Sequence, residues 1–226
     1  EELESTEMLR SDFINNFSHE FKTPIVSIAG LAKVLKRGNL SQEEQDQYLS
    51  AIEEESMRLS YMATNVLSLT KVENQTILSD VTEYNLSEQI RSCILLLENK
   101  WSRRDLELQL EFGEHMISAN EELLKQVWIN LLDNAVKFTP DGHTIQVRIS
   151  ETDHSITVDV LNTGSEIPKE SQAKIFNKFY QADESHATQG NGVGLAIVKR
   201  IAQLHGGTVA VSSENEVTVF TVELPK

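Results

Sequence analysis

Residues 121–138 read EELLKQVWINLLDNAVKF, and the two sides of this stretch differ in character. Apolar side chains recur at helical spacing on one side, at Leu124, Val127, Trp128, Leu131, Ala135 and Phe138. Asn130, Asn134 and Lys137 fall together on the opposite side. The stretch therefore predicts a helix that packs into a core on one side and presents two amides and an ammonium on the other.

The segments around this helix alternate between strand and helix periodicity. Alternation with a period of two predicts strands over residues 106–112, 145–149, 156–161, 209–211 and 217–222, with a hairpin turn at Glu214-Asn215. Helical spacing predicts helices over residues 85–100 and 194–205. This mixture predicts an α+β domain over residues 80–226, with helices on one face of a sheet.

Residues 1–76 have helical spacing and no strand signal. The first apolar stripe consists of Met8, Phe13, Phe17, Phe21, Ile25, Ile28, Leu31 and Leu35, and the second of Tyr48, Ile52, Leu59, Met62, Val66 and Leu69. Between them, Gly38-Asn39 interrupts the pattern, and Ser41-Gln42-Glu43-Glu44 is a capping-box sequence that predicts a helix start. A helical hairpin is predicted, and its pairing into a dimeric four-helix bundle would cover both stripes.

Composition excludes several classes of protein. The net charge of −15 argues against a nucleic-acid-binding surface, because such surfaces need excess Lys and Arg. No apolar run approaches the roughly 20 residues of a membrane helix, so no membrane contact is expected for this stretch. A single cysteine, Cys93, excludes an internal disulfide. The chain begins within charged, helix-prone sequence, which predicts a fragment of a longer protein.

Residues 18–24 (SHEFKTP) carry the candidate chemistry of the first half. Helical phase directs His19 away from the apolar stripe, so we expect it to face water. A neutral imidazole is a competent nucleophile near neutral pH, and the adjacent Glu20 could orient it and accept its proton. Thr23, one turn further on, could position a water molecule. By themselves these residues are equally well explained as ordinary solvated helix surface.

The second half carries features suited to phosphate. An amide oxygen such as that of Asn134 can bind Mg²⁺, and Lys137 supplies positive charge. Residues 190–195 (GNGVGL) open a helix, where backbone amides and the helix dipole favour anions. The polar segment 181–189 suits a mobile lid. A polar solvent face, a flexible glycine turn and a plain surface loop are the corresponding alternatives.

Together these stretches resemble the histidine kinase family across almost the whole chain. Residues 18–24 are similar to its phosphoacceptor H box, and residues 130–138 (NLLDNAVKF) to its N box. Residues 174–180 (KIFNKFY) are similar to its F box, and residues 190–195 to its second glycine box. Four motifs in the family's order make the resemblance highly specific.

The resemblance implies a fold, an activity and a set of site residues. The fold is a dimerisation and phosphotransfer hairpin over residues 1–76, followed by a Bergerat-type (GHKL) ATP-binding α/β sandwich over residues 80–226. His19 would accept phosphate, with Glu20 aiding the transfer, and Glu20 and Thr23 would support dephosphorylation of a partner. Mg²⁺ would bind Asn134. ATP would contact Asn130, Asn134, Lys137, Phe138, Asn162, Gly164, Lys178, Phe179, Gly190, Gly192, Gly194 and Leu195.

The same resemblance implies partners and a location. The chain would form a homodimer and pass its phosphoryl group to an aspartate of a response regulator receiver domain. It would be a cytoplasmic fragment of a protein that is anchored in the cell membrane. Phosphatase activity toward the regulator is expected as well.

The first glycine box departs from the family pattern. The family has Asp-x-Gly-x-Gly, whose carboxylate accepts a hydrogen bond from the adenine amino group, whereas residues 162–166 read NTGSE. Asn162 keeps a carbonyl acceptor but loses the charge that strengthens such a bond. We therefore expect weakened nucleotide binding. A non-catalytic phosphorelay or scaffold that retains His19 is the alternative function, and an ATPase of the gyrase and chaperone group would leave the hairpin unexplained.

Overall fold

The computed structural model describes residues 2–178, 180 and 192–226, without the side chains of residues 2–17 and 19. The chain divides into two compact units, Glu1–Ser68 and Leu69–Lys226. None of the described helices is both long enough and apolar enough to cross a membrane. The domain limits at residues 76 and 80 stay a prediction.

The first unit is built from two long helices, as predicted. Helix α1 spans Glu2–Arg37, and helix α2 spans Gln42–Asn74 and continues into the second unit. Gly38 and Asn39 have positive φ angles, a backbone conformation typical of helix C-termini. The Ser41 hydroxyl accepts a hydrogen bond from the backbone N–H of Glu44 at 3.2 Å, and the Glu44 carboxylate accepts one from the backbone N–H of Ser41 at 2.8 Å. This reciprocal pair confirms the predicted capping box.

The second unit combines helices with strands. Its helices are α3 (Leu86–Leu96), α4 (Glu98–Trp101), α5 (Glu121–Phe138), α6 (Lys169–Gln172) and α7 (Gly194–Leu204). Its strands are β1 (Val81–Asn85), β2 (Glu107–Glu111), β3 (Met116–Asn120), β4 (Thr144–Glu151), β5 (Ser155–Thr163), β6 (Thr208–Glu214) and β7 (Val217–Pro225). Five of the described strands form one sheet in the order β2-β4-β5-β7-β6, in which β2 and β4 are parallel and the other pairs antiparallel.

Residues of the sheet alternate between a buried and a partly exposed face. On β5, Ile156, Val158 and Val160 are buried, while Thr157 and Asp159 lie on the more exposed face. The buried face joins the apolar sides of α3, α5 and α7 in one core. The predicted α+β architecture, with a hairpin between β6 and β7, is confirmed.

The sequence prediction missed one small sheet. β1 and β3 pair antiparallel from Val81 with Asn120 to Asn85 with Met116. Each strand has five residues, and β1 is largely exposed. A stretch of that length carries too little alternation to indicate a strand, because its order comes from main-chain pairing with a distant partner.

The prediction of one helix over residues 85–100 was wrong at Leu97. There α3 ends, and α4 begins at Glu98. The indole N–H of Trp101 donates to the Ile94 carbonyl at 3.1 Å, and the backbone N–H of Leu97 also donates to that carbonyl. The carbonyl that the next helical turn would use is therefore occupied by a side chain, and the regular hydrogen-bond ladder stops.

The end of α2 belongs to the core of the second unit. Leu69 and Val72 are buried there. The Arg200 guanidinium, on α7, donates to the carbonyls of Val72 at 3.3 Å and Gln75 at 2.7 Å. These carbonyls lie at the C-terminus of a helix, where intrahelical donors are lacking, so the arginine acts as a cap.

Replacement of Leu69 should destabilise the second unit specifically. Both tryptophans, Trp101 and Trp128, lie in that unit, so their fluorescence reports its unfolding. Because Leu69 is 2% exposed, Leu69→Ala should lower the unfolding free energy from this signal by about 2–5 kcal/mol. Leu67→Ala, at a position that is 71% exposed on the same helix, is the control and should change it by less than about 0.5 kcal/mol. Equal effects of the two substitutions would refute the assignment of Leu69 to this core.

Candidate functional site

The polar side of α5 is the centre of the candidate site. Asn120 caps the N-terminus of the helix by accepting a hydrogen bond from the backbone N–H of Leu123 at 2.9 Å. Asn130 is buried, and its amide nitrogen donates to the Gln126 carbonyl at 2.8 Å. A Cβ atom at Gly194 would lie 2.6 Å from the Asn130 amide oxygen, closer than packing allows. Gly194 therefore lets the start of α7 approach α5, and the structure brings these two predicted site residues together.

Asn134 lies one turn beyond Asn130 and is half-buried. Its side-chain amide forms no hydrogen bond with any residue that the structure describes. Among those residues there is also no group of three or more His, Cys, Asp and Glu side chains able to hold a metal ion. A hard oxygen ligand of this kind fits Mg²⁺, which binds through one or two protein oxygens together with substrate phosphates and waters.

Lys137 is a half-buried cation on the last turn of α5. Burial lowers the pKa of its ammonium to about 8, while the nearby Asp133 carboxylate raises it and Lys100 lowers it. Asp133 itself is paired with Lys100 at 2.5 Å, and no described carboxylate lies within ion-pair distance of the Lys137 ammonium. That ammonium lies 4.4 Å from the ring centroid of Phe138, which is 45% exposed. A partly desolvated cation that no described carboxylate pairs with is favourably placed for an anionic ligand.

The first glycine box is held by contacts at the end of β5 and with the neighbouring loops. Asn162 is buried on β5, and its amide nitrogen donates to the Ser165 hydroxyl at 2.9 Å, which leaves the amide carbonyl as the acceptor for a ligand. Gly164 has a φ of 81°, and a Cβ atom there would lie 2.3 Å from the His143 ring. The Glu166 carboxylate accepts a hydrogen bond from the backbone N–H of Glu216 at 3.2 Å. Glu166, which replaces the second family glycine, is thus directed to the β6–β7 hairpin.

For the other predicted site residues, the described part of the structure shows no contact that would test their role in nucleotide binding. Gly192 and Leu195 flank the start of α7, and Leu195 packs against the core. Lys178 forms an ion pair with Glu73, so its predicted phosphate contact stays a prediction. Phe179, Gly190 and the predicted lid over residues 181–189 lie outside the described residues.

The first unit contains the predicted phosphoacceptor stretch. The backbone of His19 is helical within α1, and its side chain lies outside the described part of the structure, so its exposure stays a prediction. Thr23 is exposed. The Glu20 carboxylate lies 3.7 Å from the Arg58 guanidinium of α2, which also lies 3.9 Å from Glu55. Arg58 therefore ties the residue next to His19 to the facing helix.

Sequence reasoning missed the residues that support the site. Arg58 pairs with Glu20, Lys100 pairs with Asp133, and Arg104 binds the end of α5. Each of these contacts joins positions more than 30 residues apart, so no local pattern could indicate them. Asn162 was visible in the sequence as a departure from the family pattern, but its hydrogen bond to the Ser165 hydroxyl was not.

Comparison with known families gives two matches. Residues 9–75 match the model of the His Kinase A (phospho-acceptor) domain. Residues 119–226 match the model of the histidine kinase-, DNA gyrase B- and HSP90-like ATPases. The two matches include the predicted phosphoacceptor stretch and the polar side of α5, respectively.

Individual proteins are similar over the full chain. The sensor histidine kinase CusS of Escherichia coli is 32% identical over 227 residues, which cover 100% of this chain and 47% of that protein. The crystal structure of histidine kinase ThkA in complex with response regulator protein TrrA has a TM-score of 0.79 and 26% identity, over 99% of this chain and 64% of that one. The full-length ShkA structure in complex with AMPPNP has a TM-score of 0.69 and 27% identity, over 97% and 45%. This chain spans about half the length of the curated relatives it matches.

Nucleotide binding should weaken as pH rises if Lys137 contacts phosphate. Its lowered pKa of about 8 means that the ammonium loses its proton near that pH in the free protein. Phosphate stabilises the charged form, so affinity for Mg-ATP should fall between pH 7.5 and 9.5, by up to about tenfold per unit above the pKa. Lys137→Arg keeps its charge throughout and should flatten the profile. Titrations with a fluorescent ATP analogue would measure this, and identical profiles for the two proteins would contradict the contact.

Restoring the family's aspartate should tighten binding of adenine nucleotides. In Asn162→Asp the Ser165 hydroxyl can donate to the new carboxylate, whose charge strengthens the bond from the adenine amino group. We expect a gain on the order of 1 kcal/mol, or several-fold in the dissociation constant. Calorimetry with ATP would measure it. Inosine triphosphate, which lacks the amino group, is the control, and an unchanged ATP affinity would disprove the assignment.

Proposed function

Because this chain belongs to the sensor histidine kinases and contains the helical hairpin and the GHKL-type ATP-binding sandwich of their catalytic core, we propose that it transfers the γ-phosphoryl group of ATP to His19. The phosphoryl group then passes to an aspartate of a response regulator. A homodimer formed through α1 and α2 is the proposed assembly. The cytoplasmic location and the membrane anchor of the complete protein stay predictions.

The polar side of α5 is the observation that carries this proposal. It presents Asn134, whose amide has no described hydrogen-bond partner, and Lys137, whose half-buried ammonium has no described carboxylate within ion-pair distance. Both side chains are half-buried, so a ligand would supply partners that the described protein residues do not. A magnesium-bound triphosphate supplies both an oxygen-bound cation and an anion. The match of residues 119–226 to an ATPase family supports the same ligand.

The proposed reaction is a phosphoryl transfer from ATP to the imidazole of His19. A ring nitrogen of neutral His19 forms a bond to the γ-phosphorus while the bond from that phosphorus to the bridging oxygen of ADP breaks. The Glu20 carboxylate takes the proton that the imidazole loses. Arg58, 3.7 Å from that carboxylate, holds it on the side of α1 that faces α2.

The nucleotide would be held by residues of both glycine boxes and the N box. The Asn162 carbonyl would accept a hydrogen bond from the adenine amino group, and Lys137 would neutralise phosphate charge. Mg²⁺, when bound, would lower the charge repulsion at the γ-phosphorus, with Asn134 as its protein ligand. Asn130 would line the site while it holds α5 against Gly194.

Phosphatase activity toward the regulator is the second part of the proposal. Glu20 and the exposed Thr23 lie one turn apart on α1, where a hydroxyl and a carboxylate could position a water molecule. The similarity to ThkA, whose crystal structure contains response regulator protein TrrA, supports a receiver domain as the partner.

A phosphorelay without nucleotide chemistry is the other candidate function. Two observations favour it, because Asn162 lacks the family's charge and Glu166 replaces a family glycine and is bonded to the β6–β7 hairpin. In that case the chain would receive its phosphoryl group from another donor. The two functions differ in whether ATP alone is enough to phosphorylate His19.

Labelling with γ-labelled ATP and Mg²⁺ tests the kinase directly. We expect incorporation of a label that is acid-labile and base-stable, as a phosphoramidate is, and its complete loss in His19→Ala. Ser18→Ala, next to the acceptor, is the matched control and should still incorporate label. No incorporation at millimolar ATP, together with transfer from a phosphorylated donor protein, would replace the kinase with the relay.

A further inference from the structure

Arg104 grips the C-terminal end of α5. One terminal nitrogen of its guanidinium donates to the Val136 carbonyl at 2.6 Å, and the other to the Thr139 carbonyl at 2.7 Å. The N–H on Nε donates to the Asp141 carboxylate at 2.8 Å. One planar group therefore binds the last turn of the helix and the loop that follows it.

These contacts complete the end of the helix. The last four carbonyls of an α-helix lack intrahelical donors. Thr139 satisfies the Ala135 carbonyl with its backbone N–H at 3.0 Å and its hydroxyl at 2.5 Å, and Arg104 satisfies the next carbonyl, that of Val136. A cation at a helix C-terminus is also favoured by the helix dipole. The turn that is fixed in this way carries Lys137 and Phe138.

Arg104 is itself held in place by the segment around it. Lys100 pairs with Asp133, one turn before Lys137. The backbone N–H of Glu107 donates to the His143 carbonyl at 3.0 Å, and the Asp105 carbonyl accepts a hydrogen bond from Gly142. Residues on both sides of Arg104 are therefore bound to α5 or to the loop that follows it. These contacts fix the position of the Arg104 guanidinium.

We propose that Arg104 is a positioning residue for the phosphates of the nucleotide, because it fixes the turn from which Lys137 reaches them. Arg104 is assigned no contact with the ligand, because the three hydrogen bonds of its guanidinium go to the end of α5 and to the loop that follows it. This inference rests on the proposed function, which supplies the phosphate ligand. It adds a support residue that lies outside the four motifs of the resemblance.

A double-mutant cycle tests whether Arg104 acts through Lys137. Dissociation constants for Mg-ATP and for adenosine are measured in the full chain, by competition with a fluorescent ATP analogue, for Arg104→Ala, Lys137→Ala and the double variant. We expect Arg104→Ala to weaken Mg-ATP about tenfold and adenosine hardly at all. The double variant should bind no more weakly than Lys137→Ala, because contacts that act as a unit are not additive.

Two further variants distinguish a positioning role of Arg104 from a general loss of folding or of surface charge. Arg103, exposed and without a hydrogen bond or ion pair to a described residue, provides the control Arg103→Ala, which should bind as the unchanged protein does. Arg104→Lys, which keeps the charge but cannot span three acceptors, should fall between the unchanged protein and Arg104→Ala. It also serves as the test variant if tryptophan fluorescence shows Arg104→Ala to be unfolded.

Each outcome decides the proposal. Additive losses in the cycle, or equal weakening of adenosine and Mg-ATP, would overturn it, because the effect would then not pass through a phosphate contact. A loss in Lys137→Ala with none in Arg104→Ala would overturn the positioning role alone and leave the proposed function standing. Unchanged Mg-ATP affinity in Lys137→Ala would remove the phosphate contact of Lys137 and with it the positioning role of Arg104, whereas the labelling of His19 would still decide the proposed function.

Discussion

Val127, Trp128 and Leu131 are removed from water almost completely when α5 packs into the core of the second unit. Burial of side chains of this size contributes about 1.5–3 kcal/mol each, so the rotation of α5 about its own axis is strongly determined. Once that rotation is set, Asn134 and Lys137 must emerge on the other side of the helix. The same packing that stabilises the unit therefore aims the side chains that the proposed chemistry needs. Lys137 remains half-buried, and its lowered pKa is a consequence of that position.

The glycine boxes have a packing role beside their proposed role in phosphate binding. A side chain at Gly194 would meet the amide oxygen of Asn130, and one at Gly164 would meet the His143 ring. The first contact sets how closely α7 approaches α5, and the second sets the turn that follows β5. Substitutions at these glycines would therefore alter the shape of the site before they altered any ligand contact. In such variants, a measurement of folding is needed to distinguish a distorted site from a lost ligand contact.

Two arginines support the second unit in the same physical way. Arg104 donates to carbonyls at the end of α5, and Arg200 donates to carbonyls at the end of α2. Helix C-termini concentrate unpaired acceptors and partial negative charge, and a guanidinium offers several donors in a plane. In the first unit, Arg58 instead links two carboxylates, those of Glu20 and Glu55. The chain has 20 Lys and Arg residues against 35 Asp and Glu residues, so acceptors outnumber cationic donors.

The sequence by itself determined the helical hairpin of α1 and α2, the limits of α5 and the β-hairpin of β6 and β7, because local periodicity and capping patterns encode them. It showed the residues of the N box as well. It also indicated the family, from four motifs in order. Only the tertiary structure decided the pairing of β1 with β3, the contacts of Arg104 and the approach of Gly194 to Asn130, since these join positions far apart in the chain. The break at Leu97 was also not predicted, because it depends on which carbonyl the Trp101 indole binds. The partial burial of Lys137 was likewise decided by the tertiary structure. The spacing showed on which face of α5 Lys137 lies. Its desolvation depends on the residues that surround it in the fold, and no local sequence pattern records those neighbours.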